Sequence, residues 1–268
     1  MGLFQKKDPS SGGRTLHLVN KSKSFAYVES YKALRTNLNY VASASGHGTK
    51  VIMVVSSMPS EGKSNVTLNL AVTLAQDEKR VLLIDCDLRK GTINRYLRIP
   101  RSADGVTDVL TGEVDVRAAI QPYGDLGFDV LPSGQVPPNP SELLGSSKMG
   151  QMFKTLRERY DYILCDTPPV NAVTDASALG RYVDGAILVV SHNYVSRESA
   201  LAAKNQLEAN NIPIFGVVLN MYDSKHSGEN GKLYSYYNYG YSSDYGYGQT
   251  PSQERAERDA KGRENEKE

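Results

Sequence analysis

The stretch "KVIMVVSSMPSEGKSNVTLNLAV", residues 50–72, constrains this chain more than any other. Val51, Ile52, Met53, Val54 and Val55 form a short, continuous, mostly β-branched run, the pattern of a strand covered on both faces. A polar loop, "SSMPSEGKSN", follows and passes directly into a segment with apolar residues at helical spacing. A buried strand that turns through Gly62-Lys63-Ser64 into a helix aims backbone N–H groups and a helix N-terminus at an anion. These residues fill the end of G-x-x-x-x-G-K-[ST], in which the lysine reaches the β/γ-phosphate oxygens and the hydroxyl ligates Mg²⁺. Ser57 stands at the first position, where glycine is usual. With Pro59, Ser60, Glu61 and Asn65 they make up the expected ATP-binding set. The rival reading, a polar turn with a capping serine, leaves the flanking strand and helix unexplained.

Beyond this loop, short Val/Ile/Leu runs alternate with helical patterns. "RVLLIDCD", "GFDVLPSG", "DYILCDTPP", "GAILVVS" and "PIFGVVLNMY" read as strands. "SFAYVESYKALRTNLNYVAS", "GVTDVLTG", "VRAAI", "VTDASALGRY" and "SRESALAAKNQLEAN" read as helices, and "PSELLGSSKMGQMFKTLRERY" as one or two more. This alternation predicts an α/β fold, a P-loop NTPase-type mostly parallel sheet with helices on both faces. Residues 1–23 read as a flexible lead-in, 24–222 as the folded domain, and 223–268 as a disordered tail.

A net charge of +1 offers no bulk electrostatic attraction to nucleic acid or an anionic membrane. The sequence has no apolar run approaching eighteen residues and no signal-peptide pattern, and Lys6 stands where a myristoylation signal needs Ser or Thr. Cys86 and Cys165 each adjoin an aspartate inside an apolar run, as packed, reduced thiols do. The four histidines lack metal-ligand spacing. A cytoplasmic chain is expected.

Mg²⁺ on a nucleotide needs oxygen ligands beside the phosphates. "VLLIDCDLR" ends a strand with Asp85 and Asp87, and "YILCDTPP" ends another with Asp166. In open parallel sheets ligands collect outside the carboxyl ends of strands, where these three residues fall. Acidic residues also end strands as turn formers, but three of them in a chain with a phosphate loop favour the metal.

"SSMPSEGKS", "VLLIDCDLR" and "ILCDTPP" together resemble the Walker A, A′ and B motifs of the bacterial tyrosine kinases (BY-kinases). "LPSGQVPPNPSELL" matches the same family, whose fold is MinD-like, and the resemblance covers most of residues 24–222. It is closest to the separate-chain cytoplasmic kinases of Gram-positive capsule and exopolysaccharide loci. The resemblance implies that Lys63 binds the β/γ phosphates, that Ser64, Asp87 and Asp166 hold Mg²⁺, and that Asp85 is the catalytic base, with Lys63 and Asp87 completing the catalytic set. Arg89 either supports the phosphates or pairs with an aspartate. Asn220 resembles the adenine-contacting asparagine of related ATPases, although a strand-end turn former accounts for it as well. "ESYKALR" resembles an ExxRxxR oligomerisation helix, with Glu29, Lys32 and Arg35 on one face and Lys32 in place of an arginine. The implied partners are a membrane adaptor of the polysaccharide co-polymerase type that recruits the kinase to the inner face of the membrane, a cognate tyrosine phosphatase, and further copies in a ring, possibly an octamer. No nucleic-acid partner is implied.

The family's autophosphorylation cluster corresponds to "YSYYNYGYSSDYGYG", residues 234–248. Tyr234, Tyr236, Tyr237, Tyr239, Tyr241, Tyr245 and Tyr247 are then the phosphoacceptors. Tyr239 follows Tyr222 by about 17 residues, roughly 55–60 Å when fully extended, which reaches either its own site or a neighbour's. Seven phosphotyrosines would add roughly −10 to −14 charges, enough to weaken a ring. Two other readings compete. A MinD/ParA-type partitioning ATPase carries a second lysine one residue after the loop's first position, where this chain has Met58. A non-catalytic ATP-binding regulator would not need Lys63 and all three aspartates.

Overall fold

The computed structural model describes residues 16–19, 23–43, 48–100 and 102–222. The seven cluster tyrosines and the rest of 223–268 lie outside the described residues, as does most of the 1–23 segment.

Strand β1 (Lys50–Ser56) shows how the sheet is held. Val51, Met53 and Val55 enter the core on one face, Ile52 and Val54 enter it on the other, and all five are fully buried. Strands β5 (Tyr162–Asp166) and β6 (Gly185–Ser191) flank β1, both parallel to it. Strand β2 (Val81–Asp85) lies outside β5, then β4 (Phe128–Leu131), then β3 (Gln121–Tyr123). Strand β7 (Ile214–Asn220) forms the other edge, giving the order β3-β4-β2-β5-β1-β6-β7. Only β3 is antiparallel to its neighbour.

Helices cover both faces, as the alternating pattern predicts. One face carries α1 (Phe25–Ser43), α2 (Lys63–Ala75) and α3 (Thr92–Leu97), which contribute Leu38, Leu68, Leu74, Ile93 and Leu97 to its core. The other carries α4 (Val106–Thr111), α5 (Val116–Ala119), α6 (Pro140–Leu144), α7 (Ser147–Leu156), α8 (Asp175–Leu179) and α9 (Arg197–Ala209). Its core includes Leu110, Leu144, Phe153, Leu179 and Leu207. Every residue of α2 from Val66 to Leu74 is buried, as expected of a helix wedged between a sheet and a second helix.

Several elements differ from the sequence reading. α3 and β3 were not expected. α3 is six residues long and β3 three with a central proline, too short for periodicity to register. "VTDASALGRY" is one turn of α-helix followed by a 3₁₀ turn (Gly180–Tyr182). Residues 16–19, assigned to a flexible lead-in, are strapped to α2. The Val19 N–H donates to Asn69 Oδ1 at 2.6 Å, and Asn69 Nδ2 donates to the His17 carbonyl at 2.7 Å.

The three residues expected on one oligomer face divide. Glu29 and Lys32 pair with each other at 2.7 Å on the surface. Arg35 instead turns into its own chain, donating to the Thr73 carbonyl at 3.0 Å and lying 3.6 Å from Asp77. A cation at the last turn of α2 meets that helix's negative end, so Arg35 docks α1 on α2.

One partly buried anchor holds the start of β1. Asp184 accepts the Val51 N–H at 2.7 Å and forms a two-pronged pair with Arg157 at 2.8 and 2.9 Å. Arg157 also donates to the Thr49 carbonyl at 2.7 Å. Asp184→Ala leaves the Val51 N–H without its acceptor and takes one partner from Arg157, so a loss of about 1–3 kcal/mol in unfolding free energy is expected from a urea titration. A change below about 0.5 kcal/mol, the range of ordinary surface substitutions, would show the anchor to be dispensable.

Candidate active site

Sheet order brings the three sequence motifs together. β2, β5 and β1 are consecutive in the sheet, so the segments that follow them share one edge. Asp85 pairs in register with Asp166, and Val54 of β1 pairs with Asp166 from the other side. The loop from Ser57 to Gly62 leaves β1 here and enters α2 at Lys63.

The loop is built around Glu61, which is 1% exposed. Its Oε1 accepts from Ser57 Oγ at 2.7 Å and from the Met58 N–H at 2.6 Å, and its Oε2 accepts from the Ser191 N–H on β6 at 3.0 Å. Ser57, the departure from glycine, therefore uses its hydroxyl to bind the loop's own carboxylate. Gly62 adopts a left-handed φ of +82°, and a Cβ there would lie 2.2 Å from Asn220 Nδ2. Asn220 donates that amide to the Glu61 carbonyl at 2.7 Å. The asparagine expected at adenine thus braces the phosphate loop from beneath. Asn65 faces along α2, its Oδ1 accepting from Asn69 Nδ2 at 3.0 Å.

At the start of α2, Lys63 Nζ lies 2.7 Å from Asp166 Oδ1 and 3.2 Å from Ser64 Oγ. Ser64 Oγ donates to Asp166 Oδ2 at 2.6 Å, and Thr67 Oγ1 lies 3.1 Å from Oδ1. The Asp166 side chain is wholly buried and that of Lys63 nearly so. This knot unites the lysine and hydroxyl expected at phosphate and metal with the strand-end carboxylate.

Asp85 and Asp87 diverge. Asp85 is fully buried, with Oδ1 accepting the Asp87 N–H at 3.1 Å and Oδ2 accepting the Ile93 N–H at 3.0 Å and the Asn94 N–H at 3.4 Å. It ties the A′ loop to α3 and does not line the cavity. Burial, then the charges of Asp166 and Asp87, push its carboxyl well above the usual range. Asp87 reaches the cavity wall and accepts the Lys90 N–H at 3.0 Å. Burial raises its proton affinity too, offset by Lys63. Arg89 pairs through two prongs with Asp175 at 2.9 Å each, one of the two roles left open for it, and also lines the cavity.

Above the knot lies a cavity of about 490 Å³. Pro59 to Ser64 form one wall, Asp87 to Tyr96 contribute the other, and Pro168, Pro169, Ala172 and Val173 close it. Among the described residues no three His, Cys, Asp or Glu side chains form a preassembled metal cage. The donor set instead fits Mg²⁺ on a nucleotide, which takes one or two carboxylates and a hydroxyl and fills the rest with water and phosphate. The mutual repulsion of Asp85, Asp87 and Asp166, which helps raise the proton affinity of the first two, is what a bound cation would relieve. Glu61's buried network, Thr67, the Arg89–Asp175 pair and the α3 wall were not legible in the sequence.

Comparison with known proteins gives a consistent result. A family model described as an AAA domain matches residues 49–208. The tyrosine-protein kinase YwqD of Bacillus subtilis is 39% identical over 200 residues, covering 74% of this chain and 83% of that protein. CpsD of Streptococcus agalactiae, also named a tyrosine-protein kinase, is 34% identical over 192 residues, 72% of this chain and 81% of its own. Tyrosine-protein kinase wzc of Salmonella typhimurium is 37% identical over 217 residues, 81% of this chain, which spans only 30% of that longer protein. Among solved structures, the kinase domain of the Escherichia coli tyrosine kinase ETK superposes with a TM-score of 0.71 at 33% identity, covering 80% of this chain and 82% of that one. A MinC:MinD complex from Aquifex aeolicus matches at a TM-score of 0.59 and 24% identity, a likeness of fold alone. Carrying the phosphate loop and strand-end aspartates on this fold, the chain belongs to the bacterial tyrosine kinases, protein-tyrosine kinases built on a P-loop ATPase sheet.

Proposed function

We propose that this chain transfers the γ-phosphoryl group of ATP to tyrosines of its own C-terminal cluster, between subunits of a ring, under a membrane adaptor that couples it to capsule or exopolysaccharide synthesis. The observation that carries the reading is the knot of Lys63, Ser64 and Asp166 beneath a cavity walled by Asp87, in a chain with seven tyrosines between residues 234 and 247.

Phosphoryl transfer needs positioning and charge neutralisation more than covalent chemistry from the protein. The loop amides and Lys63 bind the phosphates, Lys63 exchanging Asp166 for phosphate oxygen. Ser64, Asp166 and Asp87 hold Mg²⁺, which when bound offsets charge on the phosphates. The tyrosine oxygen forms its bond to the γ-phosphorus as the bond from that phosphorus to the bridging oxygen breaks, and ADP departs. The hydroxyl proton passes to a carboxylate, since a phenol of pKa about 10 is protonated at neutral pH. Asp85 is the proposed acceptor from its place in the A′ motif at the end of β2, beside Asp166 and two residues before Asp87, and a hydroxyl reaches it by displacing one of its backbone donors.

Two measurements test this. Lys63→Met chain, enlarged by a tag so that it separates on a gel, is incubated with untagged wild-type chain, Mg-ATP and an adaptor cytoplasmic peptide. Phosphotyrosine on the tagged chain is expected and establishes transfer between subunits. Phosphotyrosine confined to the untagged chain would show transfer within one subunit, and its absence from both chains with ATP hydrolysis intact would favour an ATPase switch without kinase activity. Separately, Asp85→Asn is expected to slow transfer by about 100-fold or more while Mg-ATP affinity changes less than about threefold. A parallel loss of ATP binding would restrict Asp85 to holding the A′ loop against α3.

A further inference from the structure

The cavity extends from the phosphate loop to the α3 wall, and that wall is cationic. Arg89, Lys90 and Arg95 all line it. Arg89 is committed to Asp175. Arg95 is exposed, and among the described residues no carboxylate lies within ion-pair distance of it. Beside it stands Tyr96, also on the cavity wall and packed against the core of that face. The platform is fixed. Asp85 accepts the first amides of α3, Ile93 and Leu97 are buried, and Tyr123 donates its hydroxyl to the Leu97 carbonyl.

The substrate stretch has a matching property. Its tyrosines repeatedly stand two residues apart, as in 234/236, 237/239, 239/241 and 245/247. In an extended substrate such neighbours point to the same side, about 6–7 Å apart. Once one is phosphorylated it carries about −1.5 to −2 charges. The next acceptor must then bring that charge into a site already lined by Asp87, with Asp166 below. A cation on the acceptor side that met the new phosphate would favour a second transfer beside the first. A guanidinium binds phosphate through paired, charge-assisted hydrogen bonds.

We propose that Arg95, on a wall shared with Tyr96, forms a phosphotyrosine-reading subsite on the acceptor side of the cavity, which directs each transfer to the tyrosine two residues from one already modified. The inference rests on the kinase reading above. It makes tail phosphorylation a spreading process rather than a set of independent events.

The test uses full-length chain, Mg-ATP, an adaptor cytoplasmic peptide and two synthetic peptides of residues 233–242, one unmodified and one phosphorylated at Tyr239. Transfer to Tyr237 and Tyr241 is read by mass spectrometry, with Tyr236, three residues from the mark, as internal comparator. Wild-type chain is expected to favour Tyr237 and Tyr241 in the marked peptide by about tenfold, the scale of one charge-assisted contact. Arg95→Ala is expected to reduce that preference to about twofold or less, because only the weak, solvent-screened pull of other surface cations then acts on the mark. Its turnover of the unmarked peptide and its KM for ATP stay at the wild-type values. Wild-type chain that phosphorylates both peptides equally overturns the subsite and leaves the kinase reading standing. A preference that survives Arg95→Ala, or a raised KM for ATP in that variant, also overturns it. Failure to phosphorylate either peptide overturns both readings.

Discussion

The carboxylate of Asp166 is where this structure's chemistry and architecture meet. It is fully buried at the end of β5, and it gathers Lys63, Ser64 and Thr67 within 3.1 Å. A buried charge is costly unless paired and hydrogen-bonded, so this arrangement ties the start of α2 to the centre of the sheet. It also holds the phosphate lysine and the metal hydroxyl in one place before a ligand arrives. Parallel pairing of β5 with β1 and β2 is what makes the contact possible, since it aligns the ends of three strands that are far apart in sequence.

Around that contact, rigidity is distributed by side-chain hydrogen bonds that tie each loop to the sheet. Glu61 fixes the phosphate loop internally and to β6, and Asn220 closes it from β7. Asp85 does the same for the A′ loop and α3. The site therefore sits on bracing from five strands. A loop held this way offers its amides with little reorganisation, which is the condition for electrostatic stabilisation of a charged transition state.

Much of this was legible from the sequence. Apolar strand runs and helical periods give the parallel sheet and its two helical layers, because each buried strand must be covered on both faces. Residue types at fixed offsets give Lys63, Ser64, Asp87 and Asp166. What escaped depends on partners that spacing does not encode. Nothing in the order of residues says that Arg35 turns onto Thr73, that Asn220 bonds the Glu61 carbonyl, or that Arg89 chooses Asp175. α3 escaped because its six residues lack a period and owe their position to the Asp85 carboxylate. β3 escaped because pairing with β4, not its own composition, makes it a strand.

The proposed chemistry depends on Lys63 exchanging the Asp166 carboxylate for nucleotide phosphate. A crystal structure of the chain with Mg²⁺ and a non-hydrolysable ATP analogue measures this directly. The predicted result has Lys63 Nζ on phosphate oxygens, clear of Asp166, with the metal bound by Ser64 and shared with Asp166 and Asp87. A structure in which Lys63 keeps its 2.7 Å contact with Asp166 while the phosphates lie elsewhere would contradict it.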